Sequence, residues 1–195
     1  MNITYANTAV TAIINSSNFY IFCTPLILLN ECKDELLFHF IGGQVIKNEK
    51  FSDAILREVF EETGASGCHI TESKSLLINS SGSISHTDLQ LSPSPYLIYH
   101  RLPRDSGFFH DRIEWVLAYN VSISQKILSP MSEVQALLFL SEDAVRRAVN
   151  GTLTFNDVLT NKFESRIITK QPLHISKHAP IKPSGLADVW AKYII

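Results

Sequence analysis

The sequence predicts an α/β chain of the α+β type, with more strand-like runs than helices. Three observations predict it. Short apolar runs rich in Val, Ile, Phe and Tyr recur from Phe19 to Leu140, separated by polar or Ser- and Pro-rich breaks. One amphipathic segment, Ser52 to Thr63, carries a start signal and ends on Gly64. A second, Glu142 to Val149, follows Ser141 and stops at Asn150-Gly151.

The elements follow in order. Residues 1 to 17 read as a polar lead with one apolar patch, Ala9 to Ile14. Phe19 to Leu29 reads as a strand bent or broken near Pro25, because proline cannot donate to a ladder. Asn30 to Glu35 is a polar turn, and Leu36 to Ile41 is the partner strand of a hairpin that delivers the chain to Gly42-Gly43. His69 to Leu77 alternates loosely and Leu76-Leu77-Ile78 is apolar, so a strand is expected there. Asn79 to Pro95 reads as a long loop, Tyr96 to Tyr99 as a strand, and Pro103 to Arg112 as a turn region. Ile113 to Val121 and Ser132 to Leu140 are further strands, and Phe155 to Leu159 is a helical turn.

With 195 residues, 45% hydrophobic and 18% charged, the chain can bury the core of one domain. The expected division is a domain over 1–160 with an N-terminal lead, and a C-terminal extension over 161–195 packed on it. That extension differs in balance: six basic side chains face two acidic ones, a net of +4. It reads as a surface extension, a dimer contact, or a segment near a phosphate-bearing substrate. Overall the net charge is −2, which argues against nucleic acid or an acidic membrane as partner. Cys23, Cys32 and Cys68 have no metal-like spacing and cannot all pair, so reduced thiols and a cytoplasmic location are expected. The run Phe19 to Leu29 is too short to span a bilayer and lacks the preceding basic region of a signal peptide.

The chemistry lies between Gly42 and Ala65. Ser52 can cap the helix by accepting a free first-turn amide, and Asp53 places charge at the positive end of the dipole. Gly64 suits a left-handed stop. On a wheel, Ile55, Leu56, Val59 and Phe60 share one side, and Glu58, Glu61 and Glu62 share the other. Like charges three and four residues apart cost the helix roughly 0.2–0.5 kcal/mol per pair, and Arg57 is the only nearby cation. An amphipathic helix with a solvated acidic face would account for the carboxylates alone. They also suit a hard divalent cation, which takes oxygen ligands and binds phosphates through its remaining positions. Glu58 and Glu62, one turn apart, are then the primary ligands and Glu61 a third. Gly42 and Gly43 allow a close backbone approach, and the Gly42 carbonyl is a further candidate ligand.

The full spacing is Gly43, five residues, Glu49, seven residues, Arg57-Glu58-Val59, one residue, Glu61-Glu62, one residue, Gly64-Ala65. It resembles the signature of the Nudix hydrolases at every defining position. The resemblance implies the Nudix fold, a mixed β-sheet sandwiched between helices. It implies Mg²⁺- or Mn²⁺-dependent hydrolysis of a diphosphate linkage in a nucleoside diphosphate joined to a moiety X. Glu58, Glu61 and Arg57 become the catalytic candidates, with Arg57 holding the glutamates and Glu49 bracing the preceding loop. One of these glutamates or a downstream acid would act as general base: Glu58 within the signature, or Asp105, Asp111, Glu114 or Glu133 beyond it. Phe108, Phe109, Tyr96 and Trp115 could stack on a base or belong to the core. Ile41 stands where many members carry proline, which leaves the loop shape open. Subgroup motifs for ADP-ribose, NADH or coenzyme A are not found. Dimers are common among relatives, so a homodimer is an allowed partner. Two other classes remain. One is a Nudix-fold module that binds or regulates without turnover. The other is an isoprenoid diphosphate isomerase relative, which would need a pocket cysteine; Cys32 and Cys68 lie outside the paired-glycine strand.

Overall fold

A computed structural model of the chain describes residues 3–25, 34–87, 89, 91–101, 113–124 and 128–195. Its organising strand is β1 (Thr8–Ser16), buried over its first seven residues. The patch Ala9 to Ile14 is therefore not part of a lead. Its near-continuous apolar run is what a strand covered on both faces requires, and such a run lacks the alternation that marks strands in a sequence. Ser17 and Asn18, both at positive φ, turn the chain into β2 (Phe19–Pro25), with Ser16 opposite Phe19.

The expected hairpin partner of β2 divides in two. β3 (Leu36–Phe38) pairs in parallel with β12 (Ile181–Pro183). β4 (Ile41–Gln44) pairs antiparallel with β1, placing Gly42 opposite Thr11 and Gly43 opposite Val10. Among the described residues a single β-bridge, Cys23 to His39, pairs this stretch with β2. The ladder partners of β2 are β1 and β10 (Val134–Leu140) instead.

Helix α1 (Phe51–Thr63) follows. Its N-cap is Lys50, not Ser52, and no side chain caps it. Phe51, packed against the core, is drawn into the first turn, so Ser52 lies inside the helix and bonds Asp53 Oδ1 at 3.4 Å. At the other end Gly64 is left-handed and its N–H donates to the Phe60 carbonyl at 2.9 Å.

The remaining strands are β5 (Cys68–Thr71), β6 (Leu76–Ile78), β7 (Ile84–His86), β8 (Leu97–His100), β9 (Trp115–Ile123) and β11 (Ser165–Thr169). The run expected as one strand from His69 thus separates into β5, on β9, and β6, between β7 and β8. The expected loop from Asn79 contains β7, turned by Asn79 Oδ1 accepting the amides of Ser81 and Ser83. Three further α-helices are described: α2 (Glu142–Val149), α3 (Phe155–Leu159) and α4 (Leu186–Tyr193). Ser141 caps α2 as expected, accepting from the Ala144 amide at 3.2 Å.

The main sheet runs β11-β10-β2-β1-β9-β8-β6-β7, with β4 added on β1 and β5 on β9. It is mixed: β1–β9 and β6–β8 are parallel, the other pairs antiparallel. Strand periodicity sends alternate residues to opposite faces. Val10, Ile14, Cys23, Leu117, Tyr119 and Leu137 face α1, where Ala54, Ile55 and Val59 complete one core. Ala9, Ile13, Phe22, Ala118 and Leu138 face α2, α3 and α4 in the other. The basic C-terminal stretch supplies β11, β12 and α4, and its Trp190 packs edge-on to Tyr20 and Phe40. Among the described residues no helix is long and apolar enough to cross a membrane.

Candidate functional site

Helix α1 lies over β4, and the facing residues differ from those a simple wheel predicts. Phe60 is 53% exposed, whereas Glu62 is 5% exposed. The sheet-facing stripe is Ile55, Val59 and Glu62, spaced by four and then three residues. Near its C-terminal end the helix meets Gly42, whose side-chain-free backbone presents an amide. That amide donates to Glu62 Oε2 at 3.1 Å. A Cβ on Gly42 would lie 2.1 Å from the Val10 carbonyl oxygen, and its φ is +153°, so glycine is required there. Gly43 makes room of another kind, since a Cβ there would sit 2.5 Å from Glu58 Oε1.

Arg57 joins the other acids. Its Nε and one terminal nitrogen donate to the two oxygens of Glu49, at 2.9 and 3.1 Å. The second terminal nitrogen donates to Glu58 Oε1 at 2.7 Å and Glu61 Oε2 at 3.0 Å. The Gln44 carbonyl accepts a further bond at 3.1 Å. Glu49 in turn accepts the Ile46 amide at 3.0 Å, which ties the loop between β4 and α1 to the helix. This planar fork satisfies three carboxylates and a carbonyl at once.

The electrostatics divide the acids. The Arg57 hydrogen bonds hold the Glu49 carboxyl below the usual range. Burial raises Glu58, against the opposing pull of Arg57. Burial pushes Glu62 from 4.5 up to about 8; the Gly42 amide opposes this and the Glu58 charge adds to it. Among the described residues Glu62 has no cationic partner, only the Gly42 amide and the Cys23 thiol, which lies 3.6 Å from Oε2. Cys23 is fully buried, and burial beside Glu62 holds its thiol well above the usual range. Its sulfur is also 3.6 Å from His39 Nδ1, which donates to the Phe40 carbonyl at 2.6 Å.

Among the described downstream acids, Glu133 lies near this site. The amides of Ser129 and Met131 bond the last carbonyls of α1, at Thr63 and Glu62, and lead the chain to it. Its charge raises Glu58, Glu62 and Cys23. Glu114 instead accepts from the Asn7 side chain at 3.3 Å. Asp105, Asp111, Phe108, Phe109 and Cys32 lie outside the described residues. Trp115 is 8% exposed and stacks on His100 at 4.5 Å, a core position, and Tyr96 is half-buried against the other core. Cys23 is the participant that the sequence alone did not single out. The alternation Phe19-Ile21-Cys23 puts it on the α1 face, but only the split of β3 from β4 brings it behind Gly42.

The donor set suits a hard divalent cation. A buried carboxylate without a cation, beside two more carboxylates and a downstream acid, is a place where a positive ion lowers the energy. Among the described residues no three His, Cys, Asp or Glu side chains are disposed together as ligands. Glu58 and Glu61 face Arg57, and Glu62 faces the strand. Magnesium needs only one or two protein carboxylates, with waters and phosphate oxygens filling the rest. Two open grooves lie elsewhere. One, of about 890 Å³, is bordered by Ser73, Lys74, Ser75, His86 and Thr87. The other, of about 400 Å³, has its acids Glu142 and Asp143 paired with Arg146 and Arg147 of the same helix. Neither groove includes the α1 carboxylates.

No family model matches the sequence, and no curated protein matches it. Solved structures do. A hydrolase of the NUDIX family from Clostridium perfringens superposes with a TM-score of 0.52 at 15% identity, over 73% of this chain and 86% of that one. A NUDIX hydrolase from Nitrosomonas europaea matches with a TM-score of 0.46 at 12% identity, over 89% and 68%. An ADP-ribose pyrophosphatase from Streptococcus suis matches with a TM-score of 0.45 at 14% identity, over 71% and 75%. The mixed sheet between helices is thus the Nudix fold.

Proposed function

We propose that the chain is a Mg²⁺- or Mn²⁺-dependent hydrolase that opens a diphosphate linkage in a nucleoside diphosphate joined to a moiety X. The observation that carries this reading is the arrangement on α1: Arg57 gathers Glu49, Glu58 and Glu61, while the buried Glu62 bonds Gly42 and, among the described residues, has no cation of its own. The Nudix fold, found in known hydrolases, supports it.

In this reading Glu58, Glu61 and Glu62, with the Gly42 carbonyl, hold the metal. Once bound, the ion would neutralise the phosphate oxygens and lower the pKa of a coordinated water. The chain's own residues do the remaining work. Glu62 gives up its proton when a cation binds, so binding releases protons at neutral pH. Arg57 keeps Glu58 and Glu61 turned toward each other. Glu49 anchors the loop to that guanidinium. The general base is Glu58, whose carboxyl burial raises above its usual range, or Glu133, an exposed acid whose charge adds to that rise. Free Cys23 and Cys68 suit a reducing cytoplasm.

The test is a panel of nucleoside diphosphate compounds with Mg²⁺ or Mn²⁺, with Glu62→Gln as control. Turnover of one compound that disappears in the variant supports the reading; turnover unchanged in the variant overturns it. The alternative is a Nudix-fold module that binds nucleotide without turnover. Metal-dependent nucleotide binding with no product would select that alternative. Cys23 does not revive the isomerase reading, because a fully buried thiol cannot reach a substrate carbon.

A further inference from the structure

We infer that Cys23 is a positioning residue, whose thiol orients the Glu62 carboxylate for its ligand through a hydrogen bond to Oε2. The metal part of this inference rests on the reading above; the placement of Glu62 does not.

The geometry assigns the thiol proton. Four acceptors surround Sγ: Glu62 Oε2 at 3.6 Å, the His39 carbonyl at 3.7 Å, the Phe40 carbonyl at 3.8 Å and His39 Nε2 at 4.0 Å. A thiol has one proton, and once a bound cation has ionised Glu62 its oxygen is a stronger acceptor than a carbonyl. Glu62 Oε2 is also the nearest of the four. His39 Nδ1 does not compete, because its proton is committed to the Phe40 carbonyl at 2.6 Å. Oε2 thus receives two neutral donors, the Gly42 amide from β4 and the Cys23 thiol from β2. Oε1 is left to other partners.

The backbone holds this arrangement. Cys23 and His39 exchange two amide–carbonyl bonds, at 2.9 and 3.0 Å, and so pin β2 to the residues just before Gly42. That bridge fixes the backbone from which the sulfur projects. Groups that orient ligands from behind typically change metal affinity 10- to 100-fold when removed. An Ala at position 23 would leave Glu62 held by one donor and free to turn about its last bond. A Ser would keep a donor, on a shorter arm, in a pocket that prefers sulfur.

Two variants of the full chain test this, Cys23→Ala and Cys23→Ser, each checked for folding by circular dichroism. The first measurement needs no metal: hydrogen exchange of the Gly42 amide, whose acceptor is Glu62. Cys23→Ala should speed that exchange at least tenfold against neighbouring strand amides, and Cys23→Ser should restore protection. The second is Mn²⁺ affinity by calorimetry, where Cys23→Ala should weaken binding about tenfold or more. Cys23→Ser should stay within about threefold of wild type even if its melting temperature is the lower of the two. Binding that follows melting temperature instead, with Cys23→Ser the weaker, would reduce the thiol to packing and overturn the inference. So would unchanged Gly42 exchange in Cys23→Ala. Wild type that takes up no Mn²⁺ would refute the hydrolase reading, while Gly42 exchange would still decide the role of the thiol.

Discussion

Replacing Glu62 by Gln should stabilise the metal-free protein at alkaline pH while removing its metal response. Glu62 is 5% exposed, and burial moves it from 4.5 to about 8. A carboxyl raised on folding favours the folded state fully below about pH 4.5. That contribution is lost as pH rises through about 8. At about 1.4 kcal/mol for each pH unit of displacement, the loss between pH 5 and pH 8 is on the order of 3 kcal/mol. Gln keeps the acceptor for the Gly42 amide and cannot ionise. Cys23 does not confuse the comparison, because burial keeps its thiol protonated across this window. The assay is urea unfolding of both proteins with chelator at pH 5, 6.5 and 8. Wild type should fall relative to the variant by several kcal/mol over that range, and even a third of the effect would be measurable. Added Mg²⁺ should then restore wild type at pH 8 and leave the variant unchanged. Parallel stability curves across the range would refute the reasoning, since they would mean that water reaches the carboxylate.

Other outcomes follow from the same geometry. Gly42→Ala should destabilise by more than about 3 kcal/mol or prevent folding, because the new Cβ meets the Val10 backbone 2.1 Å away; urea titration or soluble yield checks this. Gly43→Ala meets only the movable end of Glu58, so stability should change by about 1 kcal/mol or less while turnover with the identified substrate falls at least tenfold. Arg57→Lys should cost about 1–3 kcal/mol in urea unfolding, because an ammonium cannot bond both oxygens of Glu49 and also reach Glu58, Glu61 and Gln44. Asp157 closes a capping box with Thr154 at 3.0 and 3.3 Å, and that bonding lowers its pKa. Its contribution, about 1 kcal/mol, is present above the ordinary carboxylate range and lost as pH falls below it, so Asp157→Asn should flatten the acid limb of the melting curve.

The local chemistry was legible because it depends on neighbours in the chain. Gly64, Ser141, Glu142 to Val149 and Phe155 to Leu159 all behave as their residues predict, through caps and turns closed within a few positions. The spacing of Glu49, Arg57, Glu58 and Glu61 likewise survives, since Arg57 reaches the two helical acids from within one turn. Strand pairing was less legible. Ala9 to Ile14 is apolar on both sides because β1 is covered on both, and no alternation betrays it. Leu36 to Ile41 reads as one strand, and its division between β3 and β4 depends on β1 and β12, far away in the chain.

The amino-acid sequence by itself determined that an acidic helix with one embedded arginine would follow a pair of glycines, because helix periodicity and backbone freedom are properties of adjacent residues. Only the tertiary structure decided which of those acids is buried. Glu62 turns inward and Phe60 outward because β4 supplies an amide and no side chain at Gly42, and β2 supplies the thiol of Cys23 behind it. Those partners come from strands 20 and 39 residues upstream, a distance across which periodicity carries no information.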